Sequence, residues 1–434
     1  MYGVMKIYHS LQYGESNMAM KKKPVTGMKD ILPGEMVLRD YLIAIIKDTY
    51  RRFGFTPMET PCVEHIENLT SKQGGDNEKL IFRILKRGEK LRLEDAETEA
   101  DLTDSGLRYD LTLPLTRYYA NNSAVLPQPF KALQIGSVWR ADRPQRGRFR
   151  QFTQCDIDIL GEATNLAEIE LILATTTALK TICPENAFTV RVNDRRILKA
   201  MAAWAGFPED AADSVFITLD KMDKIGEEGV RQELMENGFA GEAADRYLGL
   251  LAKAGKDASF VRSLKEILGE CLEEGTSENL AEIMETVTDC AGGGFGLEFD
   301  PTLVRGMGYY TGTIFEVSME GFGGSVAGGG RYDKMVGKFT GQDTPACGFS
   351  IGFERIITIL QDQGFQVPGM RTKKAFLFDK KVPAAQLSDI LKEATRERES
   401  GADVLVARMA KNKKFQRESL AAQGYTEFRD FYAE

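Results

Sequence analysis

Histidine is nearly absent from this 434-residue chain, which contains only His9 and His65. A histidine-rich metal centre or a Ser-His-Asp triad would have to use one of those two, so neither is expected. The 6 cysteines (Cys62, Cys155, Cys183, Cys271, Cys290, Cys347) include no C-x-x-C pair. That argues against zinc ribbons and thioredoxin-type sites, and scattered thiols fit a reducing, cytoplasmic setting. No apolar run is long enough to span a bilayer, and the first residues lack the continuous apolar stretch of a secretory signal. With 56 Lys/Arg against 64 Asp/Glu, the net charge of −8 argues against a protein that coats nucleic acid generally. Disorder is not expected for the bulk of the chain either, because hydrophobic residues reach 43%.

The length suggests about three domains. Charge is uneven along it: 197–290 holds 9 basic residues against 20 acidic, whereas 371–434 holds 14 against 10. Separate domains with different partners are expected from that contrast. Apolar spacing predicts a long amphipathic helix over Glu35–Phe53, closed by Gly54, followed by an extended stretch to Glu64. Paired strands are expected at Leu80–Leu85 and Lys90–Leu93, and a short strand at Leu107–Thr112 running into a helix near Tyr118. Two long strands over Ala132–Gly161 flank the loop RADRPQRGRFR. A helix at Ile169–Ile182 and a strand at Phe188–Val192 precede the acidic region, whose periodicity is helical throughout. Strands resume at Thr302, with clear alternation over Thr311–Met319. Strand then helix is expected across Gly348–Leu360, and a β-α-β-α order from Ala375 to Gln423 predicts a small α/β domain.

The glycine run GFGGSVAGGG fits neither usual phosphate loop, since G-x-x-x-x-G-K-[ST] and a strand-to-helix G-x-G-x-x-G are both missing. It reads as a hairpin or a close backbone approach. The arginine cluster carries more. Arg140, Arg143, Arg146, Arg148 and Arg150 crowd one loop beside Trp139, Phe149 and Phe152. A guanidinium fork suits bidentate phosphate contacts, so this loop is a candidate polyanion site. On the strand that follows, alternation puts Arg148, Gln154, Asp156 and Asp158 on one face, which is costly to bury without a ligand.

These segments, taken together, resemble histidyl-tRNA synthetases of the class II aminoacyl-tRNA synthetase family, over nearly the whole chain from Gly27. IGSVWRADRPQRGRFRQFTQCDIDILG is similar to the second class II motif, and LVRGMGYYTGTIFEV to a segment peculiar to histidyl enzymes. GGGRYDKMV with ACGFSIGFERI resembles the approach to the third motif. GMKDILPGE, the long helix and TPCVE resemble the first, which forms the dimer interface in the family. VNDRRIL and LRYDLTLPLTRY are similar to the eukaryote-like branch. The resemblance implies an α+β fold, an antiparallel sheet flanked by helices with a helical insertion and a small C-terminal α/β domain. The expected divisions are a tail at 1–26, a catalytic domain at 27–370 holding the insertion at 197–290, and a short anticodon-binding-like domain at 371–434.

The implied activity joins L-histidine to ATP as histidyl-adenylate, then transfers the histidyl group to the 3′ end of tRNA(His). By the same resemblance, Arg140 grips the α-phosphate and the reacting carboxylate. Arg148 and Arg355 hold ATP phosphates, with Asp142 beside them, and Arg305 is the arginine special to these enzymes, placed where relatives use a metal ion. Asp110, Leu111 and Thr112 match the group around the α-amino nitrogen, Gln154 one near the carboxylate, and Asp158, Tyr309 and Tyr310 the imidazole pocket. Gly308 stands where the family usually has aspartate. Magnesium is expected with ATP, with no tightly bound cofactor, no protein-held metal and no membrane, and the implied state is a cytoplasmic homodimer. The alternative is a histidine-sensing paralogue, the regulatory subunit of ATP phosphoribosyltransferase.

Overall fold

The structure, a computed structural model, describes residues 20–70, 79–145, 147–304 and 309–433, without the side chain of Asp223. Of the residues singled out above, His9, Arg146, Arg305 and Gly308 lie outside them, as does most of the expected tail. Contacts divide the chain into two units, one made of Leu42–Gln363 with the residues up to Asp30, the other of Ile31–Tyr41 with Gly364–Glu434.

In the larger unit the strands are β1 (Thr56–Pro57), β2 (Val63–His65), β3 (Arg83–Leu85), β4 (Thr103–Leu107), β5 (Phe130–Trp139), β6 (Gln151–Leu160), β7 (Phe188–Asp194), β8 (Gly296–Phe299), β9 (Thr313–Met319), β10 (Ser325–Arg331) and β11 (Ala346–Ile351). Eight of them form one sheet in the order β1-β5-β6-β11-β10-β9-β7-β8, and β2-β4-β3 form a small second sheet. Neighbours inside the large sheet are antiparallel, and only the outer pairs β1–β5 and β7–β8 are parallel. The helix Leu166–Ile182 buries Ile169, Leu171, Ile172, Leu179 and Ile182, and its Glu168 takes a two-pronged bond from Arg331 at the end of β10, at 2.7 and 2.6 Å. The mixed α+β fold read from the chain is the one present.

Three expected strands differ. Lys90–Leu93 is not a strand: Gly88–Lys90 makes a 3-10 turn, and β3 pairs with β4 instead. The strand expected at Leu107–Thr112 ends at Leu107, because the Asp110 carboxylate accepts the Leu113 N–H at 3.0 Å and so starts the helix Thr112–Asn122. The strand expected from Thr302 is a turn held by Asp300, whose Oδ1 accepts from the Thr302 N–H at 2.9 Å and its hydroxyl at 2.6 Å.

Between β7 and β8 the acidic segment folds as six helices, Arg195–Ala205, Ala212–Leu219, Met222–Glu236, Gly241–Leu251, Ala258–Leu268 and Thr276–Ala291. Its apolar positions (Phe216, Val230, Leu234, Tyr247, Val261, Leu264) are buried among themselves, leaving the acidic ones toward solvent. The glycine run became the β9–β10 hairpin, and both sequence readings of it hold. A Cβ on Gly329 would lie 2.0 Å from the Gly348 carbonyl oxygen.

The smaller unit holds β12 (Lys373–Phe378), β13 (Asp403–Arg408) and β14 (Tyr425–Phe431), parallel in the order β13-β12-β14. Alternation along β12 sends Phe376 to the side of helix Ala384–Glu399, and Ala375 and Leu377 to that of Lys413–Ala421. The sequence reading stopped before β14, whose burial pattern is mostly exposed. Among the described residues no helix is long and apolar enough to cross a membrane.

Candidate active site

Along β6 the polar residues Gln154, Asp156 and Asp158 alternate with Cys155, Ile157 and Ile159. Period two therefore turns the three polar side chains to one face, where they line a cavity of about 480 Å³. Ten of the twelve residues assigned from the sequence line it: Asp110, Thr112, Arg140, Asp142, Arg148, Gln154, Asp158, Tyr309, Tyr310 and Arg355. Leu111 is not on the wall. Its side chain is buried at 1% exposure, and its carbonyl accepts from Gln134 Nε2 at 3.2 Å. Arg305 is outside the described residues.

Strand register orders the cavity. Near the start of β6, the Thr153 N–H donates to Glu354 at 3.2 Å, one residue from Arg355. Towards its end, Asp158 stands opposite Gly348 of β11. Five residues of strand separate those points, about 16 Å.

Cations gather at the first end. The Arg140 Nε donates to the Tyr109 carbonyl at 2.8 Å, and the guanidinium lies 5.2 Å from the Phe152 ring centre. Both contacts fix the fork's direction without neutralising it. Arg148 closes a tight turn with Gln145, their backbones exchanging bonds at 3.1 and 2.9 Å, with Gly147 at φ +72. The loop is fastened by Arg150, whose N–H donates to the Gly27 carbonyl at 2.8 Å and whose Nε donates to that of Asp142 at 3.1 Å. A Cβ on Gly27 would come within 2.7 Å of the Arg150 side chain, so the G of GMKDILP is a packing requirement of the arginine loop. Arg355, in the first turn of the helix Phe353–Asp362, donates through Nη1 to the Ser325 carbonyl of β10.

Acceptors line the rest of the wall towards Asp158, and the Arg140 charge still reaches Asp110 and Asp156. Asp110 both starts its helix and lines the cavity. Asp156 accepts from Gln154 Nε2 at 3.1 Å and from the Ser350 hydroxyl. Asp158 accepts the Tyr332 hydroxyl at 2.6 Å through Oδ1, while its Oδ2 is buried with no partner among the described residues. The Oε1 of Gln154 is in the same condition. Burial raises all three carboxyls above the usual aspartate range, Asp156 to about 7 and Asp158 well above it, the last also through the charge of Asp156. Gly348 is required here, since a Cβ on it would fall 2.0 Å from Asp158 Oδ1. The Tyr309 and Tyr310 rings, 4.4 Å apart, complete this end.

The arrangement suits a ligand with an anionic end for the arginines and a donor-rich, cationic end for the carboxylates. Sequence reasoning left Tyr332, Ser350 and the role of Asp156 unassigned. The alternation along β6 already put Asp156 on the right face, but only the fold brings β11 and the end of β10 beside it.

Comparison with known proteins gives the same picture. The family described as Histidyl-tRNA synthetase matches residues 27–356. A Histidine--tRNA ligase of Leifsonia xyli is 43% identical over 423 residues, covering 95% of each chain. One from Aeropyrum pernix is 39% identical and covers 78% of this chain and 74% of its own. Among solved structures, histidyl-tRNA synthetase from Nostoc sp. PCC 7120 has a TM-score of 0.76 at 26% identity, covering 94% of this chain and 90% of its own. An ATP phosphoribosyltransferase regulatory subunit/histidyl-tRNA synthetase from Bacillus halodurans C shares the fold, with a TM-score of 0.74 at 20% identity over 96% of this chain and 99% of its own.

Proposed function

The chain belongs to the histidyl-tRNA synthetase family, and from that premise we propose that it is a histidine–tRNA ligase whose two half-reactions run in the cavity described. The observation that carries this is one cavity holding Arg140, Arg148 and Arg355 at one end and the unpartnered Asp158 Oδ2 at the other.

In the first step an oxygen of the histidine carboxylate attacks the α-phosphorus of ATP. A new O–P bond forms, the bond to the bridging oxygen breaks, and pyrophosphate leaves. The attacking carboxylate is already ionised near neutral pH, so no protein base is needed. What opposes the step is the approach of two anions and the charge that develops on the leaving group. Fixed guanidinium groups offset both, and they need no reorganisation as charge moves. Arg140 serves the α-phosphate and the reacting carboxylate, with Asp142 beside it, and Arg148 and Arg355 serve the outgoing phosphates. Arg305 adds a cation from outside the described residues. Magnesium comes with ATP: the acidic groups at this end are Asp142 and Glu354, and Glu354 is engaged with Thr153, which fits a metal carried on the nucleotide's phosphates. In the second step a hydroxyl at the 3′ end of tRNA(His) attacks the histidyl carbonyl and AMP leaves.

At the other end Asp110 and Thr112 take the α-ammonium, and Gln154 lies near the carboxylate, where it also reaches the α-ammonium. Asp158 and Tyr310, with Tyr309 beside them, take the imidazole. Asp158 Oδ2 is buried without a partner among the described residues, and once the carboxyl ionises on ligand binding an imidazole N–H supplies the donor it then needs. A side chain without that donor would leave the oxygen unsatisfied, which is the basis of selectivity. A cytoplasmic homodimer with the first class II motif at its interface completes the proposal. A regulatory subunit that only senses histidine would use the acceptor end alone, so the three arginines favour the ligase.

ATP–pyrophosphate exchange with the purified protein and a panel of amino acids tests the reading. Exchange with histidine alone is expected. No exchange, with histidine still bound, would instead support the sensing paralogue.

A further inference from the structure

Asp156 lines the cavity without a role in the proposed reaction, and its surroundings suggest one. It is 3% exposed and sits between Gln154 on its own strand and Ser350 on β11, its direct partner in the register. The Gln154 amide turns its NH2 edge to this carboxylate, Nε2 lying 3.1 and 3.4 Å from the two oxygens, contacts that the ionised form can only accept. That choice leaves Gln154 Oε1 on the opposite edge, buried and without a partner among the described residues. A carbonyl oxygen held there can take only a donor.

Resting on the ligase reading above, we propose that Asp156 is a positioning residue: it fixes the Gln154 amide so that Oε1 accepts a hydrogen bond from the α-ammonium of bound histidine. Without Asp156 the amide can turn, and the NH2 edge would then face a cationic group that cannot accept. The Ser350 hydroxyl, donating to the same carboxylate, keeps Asp156 itself in place. Asp156 touches no substrate in this scheme and acts through Gln154.

The test is calorimetric titration of the full-length protein with L-histidine and with imidazolepropionate, which has the ring and carboxylate but no amino group. Asp156→Ala should weaken histidine binding about tenfold to a hundredfold, the range for losing a hydrogen bond to a charged group. Imidazolepropionate should change by less than about twofold. Asp156→Asn keeps one acceptor oxygen and should lie between the two proteins. Gln154→Ala should match Asp156→Ala, and the double variant should be no worse than either single one. Parallel weakening of both ligands in Asp156→Ala, or additive losses in the double variant, would overturn the proposal and leave Asp156 a packing residue. Failure of the unaltered protein to bind histidine at all would be a different result, refuting the ligase reading itself.

Discussion

Removing the charge of Asp156 should stabilise the ligand-free protein, and by an amount that depends on pH. Burial raises this carboxyl from the ordinary 3.8 to about 7. Between those two values the folded chain binds a proton that the unfolded chain releases. The stability it contributes is therefore whole below about pH 4 and is lost as pH rises through about 7. At pH 8 the folded protein bears the full cost of the buried charge, roughly 4 kcal/mol at 1.36 kcal/mol per pH unit. At pH 5 the site is protonated and roughly 2–3 kcal/mol of that cost has gone. Asp156→Asn has no such titration. It loses an acceptor for either Gln154 or Ser350, worth about 1 kcal/mol, at every pH. The variant should thus gain more at pH 8 than at pH 5, by roughly 2–3 kcal/mol, which is about 5 °C in a unit this large. Thermal unfolding of both proteins at one scan rate and both pH values measures it. A midpoint shift of the same size at pH 5 and pH 8 would refute the claim that ionised Asp156 is costly in the empty cavity.

Four other outcomes are expected. Tyr332→Phe deletes the hydroxyl that Asp158 Oδ1 accepts, so the histidine KM in exchange should rise about fivefold to thirtyfold with kcat nearly unchanged; equal falls in kcat and kcat/KM would place Tyr332 in the chemical step instead. Arg305→Ala should lower kcat far more than it weakens histidine binding, because a cation that answers developing charge matters most in the transition state; comparable losses in both would remove that role. Glu168→Ala leaves Arg331 without its buried carboxylate and should destabilise the protein by about 3–5 kcal/mol, read as a lower urea midpoint, whereas a loss under 1 kcal/mol would mean that Arg331 finds another partner. Gly348→Ala pushes a Cβ into Asp158 and should abolish detectable histidine binding while ATP still binds; unaltered histidine affinity would show that Asp158 can move without loss.

What could be read from the sequence follows a physical divide. The β5–loop–β6 hairpin was clear because period-two alternation and five nearby arginines are local features, as was the helical insertion, whose acidic and apolar residues separate by face. Gln154, Asp156 and Asp158, which alternation puts on one face, do line the cavity together. Ser350 and Gly348 were missed because their meaning depends on β11 pairing with β6, and Tyr332 because the end of β10 meets Asp158 only in the fold, contacts between positions more than 170 residues apart. The failed strands have the opposite cause. At Asp110 and Asp300 a single carboxylate captures backbone N–H groups and redirects the chain, and local side-chain bonding of that kind outweighs an apolar alternation that is otherwise adequate. β14 escaped notice because an exposed strand carries little apolar signal to read.

The side chains proposed to make the cavity selective are also those whose charged forms burial disfavours when it is empty. Asp110, Asp156 and Asp158 are all at least nine-tenths buried, and each is raised above its usual range by that burial. A core built for stability alone would not hold three carboxyls on one wall. A ligand carrying an ammonium and a ring N–H supplies the charge and the donors that these groups lack, so binding relieves a cost already present in the fold. A side chain that fails to offer those donors leaves the cost in place. Neutralising Asp156 should therefore raise the stability of the empty protein while it lowers histidine affinity, so variants along this wall should trade one against the other.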